Sequence, residues 1–159
     1  MLLSLEISNA QAALAVDEAS LRAAVESVLA AAGYEQAEIS LAVVQDRRIH
    51  EVNRQFLQHD YPTDVISFLW EQGSDRLEGE IVVSAETAVR CAAKWNWPAE
   101  HELLLYVVHG LLHLVGYDDT TPAAAAAMRA AEQAAFSRLG IGAVVPREPE
   151  LHWESLQPQ

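Results

Sequence analysis

The apolar stretch from residue 99 to residue 115 carries two histidines, and it constrains the fold more than any other part of the chain. The stretch predicts a helix that is apolar on almost every side, and such a helix is typically buried in a protein core. His109 and His113 are four residues apart, so both imidazoles lie on one face of this helix. A buried imidazole without a polar partner would cost about 1–3 kcal/mol. The pattern therefore favours a shared metal ion over two independent core histidines.

The residues after the second histidine predict how the metal site is completed. Gly116 can end the helix with a positive φ angle, and the chain can then return to present Asp118 or Asp119 as a third ligand. Three protein ligands and one open position are typical of a catalytic zinc site. The residue after His109 is Gly110, so the glutamate that acts as general base in HExxH zinc peptidases is missing.

Length and composition predict one soluble globular domain. The chain has 159 residues, of which 51% are hydrophobic and 21% are charged, enough for a real core. Cys91 is the only cysteine, so an intrachain disulfide and a thiolate zinc site are both excluded. The first residues show no signal-peptide pattern, and no apolar stretch is long enough for a bilayer. We therefore expect a cytoplasmic protein with no membrane partner.

The net charge of −13 argues against non-specific binding of nucleic acid, which needs a basic surface. An RNA partner would have to meet a local group of cations. The candidates are two sets of residues, Arg47, Arg48 and Arg54 on one predicted helix and Arg90 and Lys94 on another. Scattered cations on a solvated helix face explain each of them at least as well.

The order of predicted elements indicates an α+β fold. Four strands are predicted at residues 2–7, 39–44, 65–70 and 79–84. Five helices are predicted, four of them beginning after the caps Asp17, Asp46, Ser84 and Thr121, and the fifth being the histidine helix. We therefore predict a single domain at residues 1–140, with a mixed sheet packed by helices, and a loosely structured tail at residues 141–159.

Two blocks of sequence resemble the YbeY family of bacterial endoribonucleases, also called rRNA maturation factors. The first block is Asn-Arg-Gln-Phe at residues 53–56 followed by Asp-Tyr-Pro-Thr-Asp-Val-Ile-Ser-Phe at residues 60–68. The second is His-Gly-Leu-Leu-His-Leu-Val-Gly-Tyr-Asp-Asp at residues 109–119. The blocks are spaced and ordered as in the family, and the similarity extends over about residues 41–140.

The resemblance implies a zincin-like α/β fold and a zinc ion held by His109, His113 and Asp119. It also implies cleavage of single-stranded RNA, with a role in maturation of the small-subunit 16S rRNA 3′ end and in ribosome quality control. The small subunit and its ribosomal proteins are then the expected partners. A metal-bound water is the expected source of the attacking group, with the RNA 2′-hydroxyl as the alternative, and the sequence assigns no general base.

The chain departs from the family pattern at two positions. Asp119 stands where most members have a third histidine; a carboxylate can also bind zinc, although it weakens the Lewis acid and admits harder ions. Leu57 stands where many members carry an arginine thought to handle RNA. Arg54, three residues earlier on the same predicted helix, is the candidate replacement.

Two other functions fit parts of the sequence. A zinc peptidase would use the histidine pair, although it would lack its glutamate base. A non-catalytic ribosome assembly factor would use the metal only for folding, and its acidic surface would suit a basic ribosomal protein.

Several further residues have two interpretations each. Glu102 is interpreted as a surface residue or as a residue that supports a metal ligand. Trp70, Trp95 and Trp97 could stack on unpaired bases or pack at the edge of the core.

Overall fold

The computed structural model describes residues 1–59 and 63–146. Within them lie four strands and five helices, so the predicted α+β class is confirmed. Their order is β1 (Leu2–Asn9), α1 (Glu18–Ala31), β2 (Gln36–Val44), α2 (Asp46–Leu57), β3 (Val65–Gln72), β4 (Arg76–Ser84), α3 (Ala85–Trp95), α4 (Ala99–Leu114) and α5 (Pro122–Arg138). Residues 60–62 of the first sequence block and residues 147–159 of the predicted tail lie outside the described residues.

The four strands form one mixed sheet in the order β1-β2-β4-β3. β1, β2 and β4 are parallel, and β3 pairs antiparallel with β4. The parallel pairs need long crossovers, which α1 provides between β1 and β2. The antiparallel pair is joined by a short turn in which the Gly73 N–H donates to the Arg76 carbonyl at 2.7 Å. The sheet is therefore mixed, as predicted.

Alternate residues of the sheet enter two separate hydrophobic clusters, because successive side chains of a strand point to opposite faces. On the inner face, side chains such as Leu41 and Ile81 pack into the main core with α1, α4 and α5. On the outer face, Val82 and Ile66 pack in a smaller cluster with Ile49 of α2. The helix that carries the histidines and the helix that carries Arg47 and Arg54 thus lie on opposite faces of the sheet.

α4 is the central helix of the domain, and it contacts α1, α3, α5, β3 and β4. Its side chains are buried over almost its whole length, as the sequence predicts. Two glycines let it approach the sheet closely. A Cβ atom on Gly79 would lie 2.8 Å from Leu114 Cδ1, and one on Gly110 would lie 3.0 Å from Val65 Cγ2.

Three of the four predicted caps are confirmed, and the fourth is wrong. Asp17, Ser84 and Thr121 each accept a hydrogen bond from a backbone N–H in the first turn of their helix. Asp46 is the first residue of α2 and not its cap. Its carboxylate turns away to accept hydrogen bonds from the Ser84 and Thr87 hydroxyls and to pair with Arg90.

The described part of the tail, residues 141–146, has no helix or strand. It is nevertheless attached to α5, since Val144 donates its backbone N–H to the side-chain oxygen of Gln133 at 2.8 Å. The predicted boundary at residue 140 stays a prediction. None of the helices in the described ranges is both long enough and apolar enough to cross a membrane.

Candidate metal centre

α4 brings the two histidines together at its C-terminal end. The Nε2 atoms of His109 and His113 lie 3.1 Å apart. Their side chains are 19% and 32% exposed, so the pair opens to solvent from an otherwise buried helix. Gly116 has a φ of +109°, which turns the chain after the helix as predicted.

The turn after α4 places Asp119 beside both histidines. Its Oδ2 atom lies 3.6 Å from His109 Nε2 and 3.9 Å from His113 Nε2. The three candidate ligand atoms are all within 4.8 Å of one another. Tetrahedral zinc with bonds of 2.0–2.1 Å has ligand atoms about 3.3 Å apart. The histidine spacing fits that geometry, and a small movement of the exposed Asp119 side chain would complete it.

Asp118, the rival third ligand, is used in a local turn. Its Oδ1 atom accepts hydrogen bonds from the backbone N–H of Thr120 at 3.2 Å and from the Thr120 hydroxyl at 3.0 Å. Side chains of this type commonly stabilise a turn by bonding the backbone two residues ahead. The structure therefore brings Asp119, and not Asp118, to the two histidines.

A fourth residue at the site, Glu132 of α5, was not predicted from the sequence. Its Oε2 atom lies 2.7 Å from His109 Nδ1, and its side chain is 9% exposed. The sequence does carry a signal for it. Met128, Glu132 and Phe136 are four residues apart on the buried side of α5. A charged residue within an apolar stripe is rare unless it has a partner.

The surroundings give the two imidazoles opposite pKa shifts. Burial alone lowers the pKa of His109, but the hydrogen bond and negative charge of Glu132 outweigh it, so this pKa lies above its ordinary value. Burial and the neighbouring His109 lower the pKa of His113, despite the negative charge of Asp119. The lowered pKa favours the neutral form of the His113 ring, the state in which imidazole binds metals.

Glu102 is neither a surface residue nor a member of the three-ligand cluster. It is fully buried, and it accepts a hydrogen bond from Trp97 Nε1 at 2.8 Å. Trp97 also stacks on Phe136, with ring centroids 6.1 Å apart. The interpretation of Glu102 as a surface residue is wrong, and Trp97 packs at the edge of the core.

The predicted RNA-binding cations lie on helices away from the histidine contacts. Arg47 pairs with Glu51 at 3.7 Å, Arg54 is in the last turn of α2, and Lys94 lies over the Trp95 ring at 5.6 Å. Arg90 is paired with Asp46. In the described part of the chain, the hydrogen bonds and ion pairs of the histidine pair involve none of these cations. RNA binding by Arg47, Arg54 and Lys94 stays a prediction.

Trp70 lies on the outer face of the sheet, opposite α4. It is 61% exposed and stacks on Phe68, with ring centroids 5.6 Å apart. It borders a cavity of about 210 Å³ that is also lined by Glu6, Glu38 and Glu78. These carboxylates would repel an RNA phosphate at that surface, and base stacking on Trp70 stays a prediction.

Sequence comparison identifies relatives over most of the chain. The profile of the family described as Endoribonuclease YbeY matches residues 6–140. An Endoribonuclease YbeY from Moorella thermoacetica is 39% identical over 150 residues, which cover 85% of this chain and 96% of that protein. One from Rhodopirellula baltica is 50% identical over 111 residues, covering 69% of this chain. The match spans only 57% of the Rhodopirellula protein's own length.

A structural comparison supports the same fold. A Thermotoga maritima protein whose structure was determined in solution superposes with a TM-score of 0.57 over 86% of this chain and 91% of its own. Its sequence is 23% identical, so this likeness concerns the fold alone. The family profile and the sequence relatives carry the assignment: the chain belongs to the YbeY family of endoribonucleases.

Proposed function

We propose that this protein is a metal-dependent endoribonuclease that cleaves single-stranded RNA during maturation of the small-subunit 16S rRNA 3′ end, with a part in ribosome quality control. Family membership supports hydrolysis of RNA. The observation that supports metal dependence is the grouping of His109, His113 and Asp119 within 4.8 Å. Two imidazoles and a carboxylate at this spacing are a donor set that zinc binds in proteins.

Two imidazole nitrogens and one carboxylate oxygen are a donor set that fits zinc. His109 and His113 would bind through their Nε2 atoms and Asp119 through Oδ2. When bound, the ion would supply Lewis-acid stabilisation at the phosphate and a lower pKa for a water ligand. Because Asp119 adds a negative charge that a histidine would not, the site would also accept harder divalent ions.

The exposure of the cluster indicates the side from which RNA would approach. Asp119 is 46% exposed and His113 is 32% exposed, whereas Glu132 behind His109 is 9% exposed. A substrate phosphate would therefore reach the ion from the side of the turn after α4. The buried side of the site is closed by α5.

The peptidase alternative is disfavoured by the position of Gly110. A Cβ atom at this residue would meet Ile81 and Val65 of the sheet at 3.0 Å. A glutamate side chain at this position would have to push these two residues aside, which disfavours the general base of an HExxH peptidase.

The assembly-factor alternative makes the metal a structural element. Against it, α4 is packed on several sides by apolar residues such as Leu111, which is fully buried. We expect a core of this kind to fold without an ion, unlike a zinc finger.

The decisive experiment is cleavage of an rRNA fragment that carries an unprocessed small-subunit 3′ end. The wild type should cut it with added zinc, and His113→Ala, purified in the same way, should not. Equal products from both proteins would indicate a contaminating nuclease. No cleavage by either would favour the assembly factor, and digestion of casein by the wild type would favour the peptidase.

We further propose a cytoplasmic location and a small-subunit partner. The net charge of −13 suits docking to basic ribosomal proteins, which would bring the acidic domain to its RNA. Co-sedimentation with small subunits at low salt, lost at high salt, would support this. Sedimentation with neither subunit would count against it.

A further inference from the structure

We infer that Glu132 is a positioning residue that sets His109 in the tautomer and orientation needed to bind a metal ion. This inference rests on the proposed function, because it concerns the same site. It adds a residue from α5, a helix that carries none of the three proposed ligands.

The contacts of the His109 ring define its orientation. On one side of the ring, Nδ1 lies 2.7 Å from Glu132 Oε2. On the other side, Nε2 faces His113 Nε2 at 3.1 Å and Asp119 Oδ2 at 3.6 Å. The ring thus bridges the buried carboxylate and the candidate metal position.

Hydrogen-bond chemistry then fixes the proton of the neutral ring. An ionised carboxylate can only accept, so the Nδ1–H donates to Glu132. The lone pair of a neutral imidazole is left on Nε2, the atom that faces the other two ligands. Without Glu132, the proton could reside on Nε2, and that tautomer cannot bind an ion at this position.

Packing holds the Glu132 carboxylate in place. One turn to either side on α5, Met128 and Phe136 are 2% and 0% exposed in the core. Burial of a carboxylate is unfavourable without a partner, and low exposure strengthens the contact that it does make. A buried acid in an otherwise alanine-rich helix is therefore consistent with a specific task at His109.

The test is the affinity for Zn²⁺ of the wild type and of Glu132→Gln, measured by competition with a chromophoric chelator. Outer hydrogen-bond partners of metal-binding histidines typically contribute about 10–100-fold in affinity. We expect a loss in that range for Glu132→Gln. The control is Glu100→Gln, which removes the same charge from the exposed first turn of α4 and should leave the affinity unchanged.

A second readout separates positioning from a general loss of stability. In the zinc-loaded wild type, proton–nitrogen NMR of labelled histidine should show a His109 Nδ1–H signal shifted far downfield by its charged acceptor. In Glu132→Gln this signal should move upfield or exchange away. A residue with only a structural role would change the free energy of unfolding and leave this resonance where it was.

The outcomes distinguish this inference from the proposed function. If the wild type binds neither Zn²⁺ nor Mn²⁺, the proposed metal dependence fails, and the inference fails with it. If the wild type binds zinc and Glu132→Gln binds it equally well, only the positioning role is overturned. Should Glu132→Gln not fold, Glu132→Asp is compared in its place, because its shorter side chain keeps the charge but withdraws it from Nδ1.

Discussion

A Cβ atom on Gly110 would lie 3.0 Å from the Cδ1 atom of Ile81, closer than nine in ten real contacts of a Cβ atom. The histidine helix therefore rests directly on the sheet at the residue that follows His109. This close approach explains a sequence feature that spacing alone left unexplained, the glycine inside an apolar helix. Glycine is otherwise unfavourable there by about 1 kcal/mol relative to alanine.

We expect Gly110→Ala to lower the free energy of unfolding by about 1–3 kcal/mol, because an extra methyl group in a packed core forces its neighbours to move. Urea denaturation followed by circular dichroism measures this. The matched control is Gly73→Ala, whose Cβ would meet only the Arg76 carbonyl at 3.8 Å. That change should stay within about 0.5 kcal/mol. Equal effects of the two variants would show that the contact with Ile81 is not tight.

Substitution of each aspartate by asparagine should show which of Asp118 and Asp119 is the third metal ligand. We expect Asp119→Asn to weaken zinc binding by more than the about 10–100-fold typical of an outer partner, since it removes a charged ligand. Asp118→Asn should keep the wild-type affinity, because Asp118 bonds Thr120 and not the histidines. Isothermal titration of both variants gives the comparison. A larger loss for Asp118→Asn would reverse the ligand assignment.

Removal of the metal should abolish RNA cleavage, and the protein should remain folded. The main core, which includes Val107 and Phe136 at 0% exposure, is formed by apolar side chains and includes none of the three proposed metal ligands. We expect dialysis against a chelator to stop cleavage while the far-ultraviolet circular dichroism spectrum is unchanged. Activity should return with added zinc. Unfolding of the apo protein would instead assign the metal a structural role.

The free energy of unfolding should decrease as the pH is lowered, because the Asp46 carboxylate becomes protonated. Burial alone raises its pKa, but the hydrogen bonds from Ser84 and Thr87 and the charge of Arg90 outweigh it and hold this pKa below its ordinary value. A lowered pKa contributes stability above the unfolded value of about 3.9, and that contribution is lost as the pH falls through the folded pKa.

Asp46→Asn should therefore cost about 1.5–3 kcal/mol at pH 7, the range for hydrogen bonds to a charged group. The difference from the wild type should shrink as the pH falls below about 4. Urea denaturation at pH 7 and pH 3 measures both. Glu51→Gln, which breaks only exposed pairs with Arg47 and Arg48, should matter little at either pH. A constant difference for Asp46→Asn would exclude the charge as the cause.

A cation at the end of α2 should strengthen RNA binding. Leu57 is the last residue of α2 and is 41% exposed. We expect Leu57→Arg to bind single-stranded RNA more tightly and to steepen the plot of log affinity against log salt by about 0.7, the value for one added phosphate contact. Leu2→Arg adds the same charge on β1, at the opposite edge of the sheet from β3, and should change neither the RNA affinity nor the salt dependence. Equal slopes for the two variants would exclude a phosphate contact at residue 57.

Sequence reasoning predicted those parts of the fold that depend on local chemistry. The approximate positions of the four strands, the caps Asp17, Ser84 and Thr121, and the turn at Gly116 are all encoded within a few residues of where they act. The structure confirms each of them. Asp46 was mistaken for a cap because its residue type favours that role. Its true partners come from 38 and 41 residues further along the chain, so no local pattern shows them.

The residues of the candidate site also differ in how far local sequence can predict them. His109, His113 and Asp119 lie within eleven consecutive residues, so one motif could predict them together. Glu132 lies 23 residues beyond His109, and only the packing of α5 against α4 brings it to the ring. Its charge within the apolar stripe of α5 indicates a buried partner without identifying which one.

The contact between Glu132 and His109 couples metal supply to the motion of α5. An ion that binds about 10–100-fold more tightly when Glu132 is docked on His109 stabilises the docked arrangement by up to about 1.4–2.7 kcal/mol. That energy opposes the opening of α5, which is otherwise held by its apolar face and by the hydrogen bond from Arg138 to Ser27. Amide exchange along α5 would thus slow as the ion is added, and a helix with no ligand of its own would report on metal occupancy.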